Sequence, residues 1–482
     1  MKSTTLTLAI ATFLAALTLS VQLAAQRTHY KLIDLGTLGG PNSQTNGGPP
    51  SMINNRGVVA GMADTLTPCN YLGGFVSPAV KWENDVPTNL GLLPGGCFSG
   101  PNSINSKGMI VGAGDIGVID PIAGGPEIRA DFLYKGQVIN MGTFGGTNSL
   151  SNGINNRGQA IGGAENTDPD PWNFGGIVGL SSPTAWHGFL WQKGVLQDLG
   201  TLGGPDSFGL IINERGQVTG FSFTNDTPNP TTGIPTVDPF LWQDGRMTDV
   251  GTLGGTFGVG NAVNNGGQVV GFSDVAGDLT NHAFLWERGV LSDIGTLGGD
   301  NSTANWINDA GQVAGISDLA DGTHHAFIWE NGNFTDLGTV GGDPCSNTEY
   351  INEKGQAIGT STNCHGTILH IFLWENGSII DLSSQVLPGS GFALLEPVVI
   401  NEAGEIVANG VLPSGDVHAV VLKPCSEDCA AQVASNVSNA SAVNRAVGNS
   451  RTAVLERNAS SPLERVRNQM RKPYTLPQLR RQ

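Results

Sequence analysis

One short pattern, an asparagine followed three residues later by a glycine, recurs eight times along this chain of 482 residues. Every copy closes an apolar run, and successive copies lie 44 to 58 residues apart. The copies are Asn54/Gly57, Asn105/Gly108, Asn155/Gly158, Asn213/Gly216, Asn264/Gly267, Asn308/Gly311, Asn352/Gly355 and Asn401/Gly404. Repetition at such a period predicts an array of similar structural units, each of which buries its apolar face against its neighbours.

A second apolar run follows each of these glycines, as in "QVVG" at 268–271 and "QVAG" at 312–315. The run ends on a glycine in seven copies and on Ala408 in the last. Asparagine at the start of a tight turn, and glycine where φ must be positive, are typical of a β-hairpin. The two runs are therefore predicted to be adjacent antiparallel strands.

Two further signatures complete the repeat, and each also occurs eight times. The third signature is an aromatic strand, found as "AVKW" 79–82, "DFLY" 131–134, "GFLW" 188–191, "PFLW" 239–242, "AFLW" 283–286, "AFIW" 326–329, "IFLW" 371–374 and "AVVL" 419–422. The fourth is "LIDLG" 32–36, "TNLG" 88–91, "INMG" 139–142, "QDLG" 197–200, "TDVG" 248–251, "SDIG" 292–295, "TDLG" 335–338 and "IDLS" 380–383.

The chain begins with the fourth signature and ends with the third. Such an offset is expected of a closed ring whose first strand completes its last unit, whereas an open solenoid needs polar caps instead. We therefore predict an all-β fold, an eight-bladed β-propeller of four-stranded antiparallel blades. A strand at 30–36 is predicted to complete the blade that ends at 417–423.

The residues "HAFLWERGVLSDIGTLGG" at 282–299 and "HAFIWENGNFTDLGTVGG" at 325–342 resemble the HAF repeat family, bacterial extracellular repeat proteins named for that His-Ala-Phe. The resemblance extends over about residues 30 to 423. The resemblance implies export and a propeller fold. It implies no particular activity, because the family has no established common one. Because the copies at 79–82 and 239–242 lack the histidine, we do not expect that histidine to be a shared ligand.

The first 25 residues have the pattern of a secretory signal peptide. Lys2 precedes an apolar stretch from Leu6 to Leu23, and Ala24 and Ala25 offer a cleavage site. An uncleaved anchor helix is the alternative. No later segment has the roughly 18 consecutive apolar residues of a membrane span, so the mature chain is expected to have no transmembrane segment and to be extracellular or periplasmic. The propeller is assigned to 26–423.

Charge separates this body from the last segment of the chain. The chain has a net charge of −17, but residues 424–482 hold nine Lys or Arg against four Asp or Glu. An acidic body argues against nucleic-acid binding, because phosphate contacts need clustered basic side chains. The basic tail at 424–482, rich in Ala, Ser, Asn and Arg, is predicted to be disordered or partly helical, with weak attraction to anionic surface polymers.

Six cysteines give a check on the predicted topology, because export permits disulfides. In a four-stranded meander, the link between strands two and three and the link between blades emerge on the same face. We predict the pairs Cys69–Cys97 and Cys345–Cys364 on that face, and Cys425–Cys429 within the tail.

The loops of that face are long and varied, at 64–78, 114–130, 164–186 and 223–237, whereas the hairpin turns of the opposite face are short. We call these the long-loop face and the hairpin face. Long loops without regular structure tend to carry function, so a binding surface is predicted on the long-loop face of the first four blades. The candidate ligand-binding residues are Trp172, Trp186, Asp168, Asp170 and Asp115. The column Trp191, Trp242, Trp286, Trp329 and Trp374 is expected to pack between blades.

No cofactor or metal site is predicted. The segments at 166–173 and 274–278 offer oxygen ligands for calcium, but they lack the alternation and terminal Glu of a calcium loop. His324, His325 and His365 with Asp321 could be drawn as a metal set, yet His325 occupies the structural position of the repeat. The repeated Asp198, Asp249, Asp293 and Asp336 belong to the same scaffold.

Three functions remain open. The first is an exported non-enzymatic propeller that binds an extracellular protein or polysaccharide through the long-loop face. The second is an extracellular polysaccharide-degrading enzyme that uses paired carboxylates on that face. The third is a structural surface component.

Overall fold

The computed structural model describes residues 29–45, 51–120, 125–172, 183–230, 233–386 and 390–425. The predicted signal peptide and nearly all of the predicted tail lie outside the described residues. Within them the regular secondary structure is β-strand except for a single four-residue helix, α1 (Leu382–Gln385), after the strands of the seventh repeat. The all-β class is confirmed.

The strands fall into eight four-strand units, which we number along the chain. Units 1 to 4 are β2 (Gly39–Gln44), β3 (Val59–Thr65), β4 (Ala79–Glu83), β5 (Val86–Gly91); β6 (Ser99–Ile104), β7 (Ile110–Ile119), β8 (Pro126–Tyr134), β9 (Gln137–Asn140); β10 (Ser149–Ile154), β11 (Ala160–Pro169), β12 (Thr184–Gln192), β13 (Val195–Asp198); and β14 (Ser207–Ile212), β15 (Val218–Phe223), β16 (Val237–Gln243), β17 (Arg246–Asp249).

Units 5 to 8 are β18 (Gly254–Val263), β19 (Val269–Val275), β20 (Asn281–Glu287), β21 (Val290–Gly295); β22 (Gly298–Ile307), β23 (Val313–Leu319), β24 (His324–Glu330), β25 (Asn333–Gly338); β26 (Cys345–Ile351), β27 (Ala357–Thr362), β28 (Ile368–Glu375), β29 (Ser378–Asp381); and β30 (Ala393–Ile400), β31 (Ile406–Val411), β32 (Val417–Pro424) with β1 (Tyr30–Asp34).

Within each unit the strands follow one another as an antiparallel meander. Six units are separate four-stranded sheets, while units 4 and 5 share one eight-stranded sheet through the single parallel pair Val237 and Phe257. The first strand of the chain pairs with the last, with Tyr30 opposite Pro424 and Asp34 opposite Val420. The prediction that an N-terminal strand completes the last unit is confirmed.

The repeated asparagine and glycine build the turn between the first two strands of each unit. All eight glycines have φ between 73° and 84°, a conformation that favours glycine. The side chain of Asn264 shows what the asparagine does: its Oδ1 accepts the backbone N–H of Gln268, and its Nδ2 donates to the side chain of that glutamine. The turn is therefore fixed by its own side chains, as the sequence predicted.

The same asparagines connect the units to one another. Each Nδ2 donates to the backbone carbonyl of the asparagine in the next unit, at 2.8 to 3.2 Å. The series starts with Asn54 and Asn105, and it ends with Asn401, which donates to the carbonyl of Asn54. These hydrogen bonds therefore form a cycle that returns from unit 8 to unit 1.

The first strand of units 2 to 8 also has a bulge three residues before the repeated asparagine of the turn, as at Asn261 and Asn305. There the bulged asparagine reaches the neighbouring unit, since Asn261 Nδ2 donates to Ala304 O and Asn305 Nδ2 donates to Thr348 O. A buried core fills the space between neighbouring units. Five phenylalanines of the aromatic strand are among its largest fully buried members: Phe189, Phe240, Phe284, Phe327 and Phe372.

The tryptophans of the aromatic strand pack with this core, as predicted. Trp191, Trp242 and Trp286 are buried, and Trp329 and Trp374 are half-buried against the clusters of units 5 to 7. They pack between strands and are unavailable as a row of stacking platforms.

Candidate functional site

Two disulfides define the long-loop face. Cys69, in the loop between β3 and β4, is bonded to Cys97 in the link from unit 1 to unit 2. Cys345, at the start of unit 7, is bonded to Cys364 in the loop between β27 and β28. Both predicted pairs are confirmed, and both join the two kinds of loop that the topology placed on one face. Cys429 lies outside the described residues, so the pair Cys425–Cys429 stays a prediction.

Exposed apolar side chains concentrate on this face in units 1 and 2. Leu66, Leu72 and Phe75 belong to the disulfide-held loop after β3, and their exposed fractions are 74%, 41% and 39%. Val118 and Ile119, at the end of β7 in the next unit, are also exposed. The loop is held from both ends, because Thr65 N donates to Val76 O and Cys69 N donates to Gly74 O. We call these five residues the apolar patch.

The sequence did not single out this patch. The predicted candidates were aromatic and acidic residues of the loops at 114–130 and 164–186, and no residue of the loop at 64–78 was among them. A usable signal was present: Leu66, Leu72 and Phe75 stand in a loop tied by a cysteine, where apolar side chains have no strand to pack against.

Asp115 holds a link between two units and does not face solvent. It is fully buried at the bend of β7, where its Oδ1 accepts the backbone N–H of Cys97 at 2.8 Å and of Phe98 at 2.7 Å. Its Oδ2 accepts from Gly117 N. A carboxylate with three backbone donors is a structural anchor, so Asp115 is corrected from a candidate ligand residue to a support of the Cys69–Cys97 link.

Trp186 is likewise a core residue. It lies in β12, is fully buried, and packs near Phe208 with 6.0 Å between ring centroids. The sequence position of Trp186, directly before His187, could have indicated that it is a strand residue, because β12 begins at Thr184. Trp172 is half-buried against the same cluster, and its indole Nε1 is buried without a hydrogen-bond partner. Of the two tryptophans, only Trp172 has side-chain surface that reaches solvent.

The two aspartates of that loop differ in exposure. Asp168 is exposed, and its backbone N–H donates to Asn166. Asp170 is almost buried, and its Oδ1 accepts the N–H of Trp172 at 2.8 Å. Asp168 is therefore accessible to a ligand, whereas Asp170 mainly shapes the loop.

Asp206 is a carboxyl group that sequence reasoning missed. It is fully buried, its Oδ1 accepts the N–H of Trp186 at 2.7 Å, and its Oδ2 has no hydrogen-bond partner. Burial, and next the charge of Asp170, raise the pKa of Asp206 to about 8. A comparison of the repeats could have identified Asp206, because units 3 and 6 have asparagine at the same position, Asn148 and Asn301. Those amides donate to an acid on the second strand, while unit 4 has Phe223 at that place.

The repeat histidine forms a hydrogen bond between the third and fourth strands of four units. In each, its Nδ1 contacts an aspartate that also accepts the N–H of a glycine two residues later. The pairs are His187–Asp198 at 2.8 Å, His282–Asp293 at 2.7 Å, His325–Asp336 at 2.8 Å and His418–Asp34 at 2.9 Å. Although burial opposes its charge, hydrogen bonds and charge from Asp198 raise the pKa of His187. Histidine and aspartate are thus scaffold residues, as predicted.

No group of three or more His, Cys, Asp or Glu side chains among the described residues could hold a metal ion. No helix in the described part of the chain is long and apolar enough to cross a membrane.

We expect the Cys69–Cys97 bond to keep the loop of the apolar patch in place. Replacing both cysteines by serine releases a closure of 28 residues and should lower the free energy of local opening by roughly 2 kcal/mol. Limited proteolysis should then cut within 66–78 faster than in the wild type. The matched control, Cys345→Ser with Cys364→Ser, should leave that loop protected. Equal cleavage there in both double variants would contradict the assignment.

No protein-family model and no curated protein matches this chain. Solved structures with a similar fold include the β-propeller domain of the Trilobed protease from Pyrococcus furiosus, at 11% identity, a TM-score of 0.43, and coverage of 72% of this chain and 97% of that one. The acylaminoacyl peptidase of Pyrococcus horikoshii is similar at 10% identity and a TM-score of 0.41, over 80% of this chain and 58% of that one. YCF48 bound to D1 peptide is similar at 9% identity and a TM-score of 0.37, over 83% and 97%.

Proposed function

We propose that this chain is an exported, non-enzymatic β-propeller that binds an extracellular protein or polysaccharide through its long-loop face. The observation that carries the binding proposal is the apolar patch of units 1 and 2. Exposed apolar side chains that concentrate on one face of a domain mark interaction sites more often than scattered ones do. Leu66, Leu72 and Phe75 also belong to the loop held by the Cys69–Cys97 disulfide, which reduces the ordering cost of binding.

We also propose that the eight units are eight blades of one closed ring. The cycle of asparagine hydrogen bonds from Asn54 round to Asn401 supports closure, and so does the pairing of β1 with β32. Unit 8 meets unit 1 again near the long-loop face, where Ala419 N donates to Ser43 Oγ and Val417 N donates to Asn42 Oδ1. The resemblance of the repeat to the HAF family supports the same architecture.

Export is part of the proposal. Two disulfides agree with an oxidising compartment, extracellular or periplasmic. The predicted signal peptide supplies the route.

A partner of this surface should be lost when the apolar patch is made polar. We expect Leu72→Ser with Phe75→Ser to weaken binding at least tenfold, because each removes contact area worth more than about 1 kcal/mol at the centre of an interface. Val290→Ser is the control, since Val290 is equally apolar and exposed but begins β21 on the hairpin face. An equal loss of binding in the double variant and in Val290→Ser would contradict a binding site at the apolar patch.

The second proposal, a polysaccharide-degrading enzyme, is favoured by one observation. Asp206 and Asp170 lie close enough for the charge of Asp170 to raise the pKa of Asp206, and an acid of raised pKa beside a second acid is one requirement of a glycosidase. Both acids are buried in this structure, so this proposal ranks second. Shortened products in the binding assay, lost in Asp206→Asn and retained in the Leu72→Ser, Phe75→Ser variant, would replace the first proposal by this one.

A further inference from the structure

The His–Asp pairs described above follow a pattern from which unit 4 departs in charge. Unit 7 departs in partner, because its histidine, His370, contacts Asp343 at 2.7 Å and not the fourth-strand Asp381. Units 1 and 2 have no histidine at the repeat position, where Pro78 and Ala130 stand, and there asparagine replaces the aspartate, as Asn89 and Asn140. Asn89 still accepts the N–H of Gly91, and Asn140 that of Gly142, each at 2.8 Å. Units 1 and 2 therefore lack both the histidine and the negatively charged aspartate of the pair.

Unit 4 lacks the histidine but keeps the acid. Asp238 occupies the histidine position, and Asp249 remains at the end of the fourth strand. The strand register is unchanged, since Phe240 lies opposite Asp249 just as Phe189 lies opposite Asp198. Asp249 Oδ1 accepts Gly251 N at 2.7 Å, as the aspartates of the His–Asp pairs do. The register thus places two carboxyl groups at the positions where unit 3 has an imidazole and a carboxylate 2.8 Å apart.

Nothing on the surrounding strands balances a second negative charge. Asp238 is 92% buried, being 8% exposed, and its Oδ1 has no hydrogen-bond partner. The neighbouring strands β15 and β18 carry no titratable residue, and neither does the link 250–253. Strand β17 carries Arg246 besides Asp249, but Arg246 lies opposite Gln243 at the other end of the strand. A pair of carboxyl groups in this position can hold together through one hydrogen bond only if one of them is protonated.

We propose that Asp238 and Asp249 share one proton and form a pH-sensitive joint between the third and fourth strands of unit 4. At acidic and neutral pH, the protonated carboxyl donates to the other and takes the place of the His–Asp pair. When the proton leaves, the two carboxylates repel each other, and the outer strand β17 loses its attachment on the long-loop face.

The direction of the pH dependence follows from the same geometry. Burial first, and then the charge and hydrogen bond of Asp249, raise the pKa of Asp238 to about 7. The folded state therefore binds this proton more tightly than the unfolded chain does, where an aspartate titrates near about 4. The stability contributed by the proton is fully present below that pH and is lost as the pH rises through about 7.

The test compares urea unfolding of the wild type and Asp238→Asn at fixed pH values from 4 to 9. The amide donates to Asp249 without needing a proton, so the unfolding constant of the wild type, divided by that of the variant, should rise by up to about tenfold per pH unit between pH 4 and 7 and then level off. Asp238→His, which recreates the His–Asp pair, should give the same rise when it takes the place of Asp238→Asn in that ratio. Asp244→Asn, which removes an exposed carboxylate from the same unit, should not.

A ratio that stays constant from pH 4 to 9, or an equal change in Asp244→Asn, would overturn the proposal. If Asp238→Asn does not fold, Asp249→Asn serves instead, because asparagine is native at that position in units 1 and 2. Millimolar calcium at pH 8 gives a further outcome. Stabilisation of the wild type by calcium, absent in Asp238→Asn, would show a cation site in place of a shared proton and would also overturn the proposal. A protonated-carboxyl infrared band at pH 6 that is lost in Asp238→Asn would support the proposal.

Discussion

Replacing Asn401 by alanine should lower the free energy of unfolding by about 4 kcal/mol. Its side chain makes four hydrogen bonds: to Asn54 O, to Glu405 Oε2, and from the backbone N–H groups of Ala403 and Glu405. Each such bond contributes roughly 1 kcal/mol, and its removal leaves buried backbone groups without partners. The bond to Asn54 is also the one that joins unit 8 to unit 1.

Urea unfolding measures this loss, and Asn333→Ala is the control. Asn333 is exposed at the start of β25, so its replacement should change stability by no more than about 0.5 kcal/mol. A similar small effect at Asn401 would mean that the asparagine cycle does not hold the units together.

Replacing Gly271 by alanine should cost about 3 kcal/mol or more. An added Cβ at this position would lie 1.9 Å from the backbone carbonyl oxygen of Val259 on the neighbouring strand β18. Because that oxygen belongs to a paired backbone, it cannot move aside as a flexible side chain could, and the strand pair has to separate. Thermal unfolding should show a lowered Tm, together with faster hydrogen exchange in β18 and β19.

Gly125→Ala is the matched control, because nothing lies within 4 Å of its added Cβ and its φ is not positive. It should leave Tm unchanged. An unchanged Tm in Gly271→Ala as well would contradict the prediction that glycine is required at this repeat position by the close approach of the neighbouring strand. The same contact recurs at Gly162, Gly220 and Gly359, where the added Cβ would lie 2.0 Å or less from a carbonyl oxygen.

The strand order and the turn chemistry could be predicted because each depends on residues that recur at one position of the repeat. Eight glycines after eight asparagines point to one turn, and the surplus strand at 30–36 points to the place where it pairs. The disulfides followed from the same topology, since Cys69 and Cys97 differ in loop type but share a face. Contacts between residues far apart in the sequence could therefore be predicted from the repeat pattern alone.

The site was harder to predict because exposure depends on where strands end. Trp186 and Asp115 were expected at the surface as loop residues, but β12 starts at Thr184 and β7 continues to Ile119, which places both side chains in the interior. The joining of units 4 and 5 through the single parallel pair Val237 and Phe257 has no counterpart in the repeat pattern and was not predicted. The acids Asp206 and Asp238 could have been found by comparing each position across the repeats.

We propose the long-loop face of units 1 and 2 as a binding surface, and one experiment tests this directly. The most direct measurement is a binding screen of the secreted protein, without residues 426–482, against purified extracellular polysaccharides and cell-surface proteins. The Leu72→Ser, Phe75→Ser variant and the Val290→Ser control are run beside it, and every bound polysaccharide is analysed for shortening. We predict at least one partner that is held intact by the wild type and by Val290→Ser and is lost by the double variant. A partner held equally by all three proteins would contradict the claim.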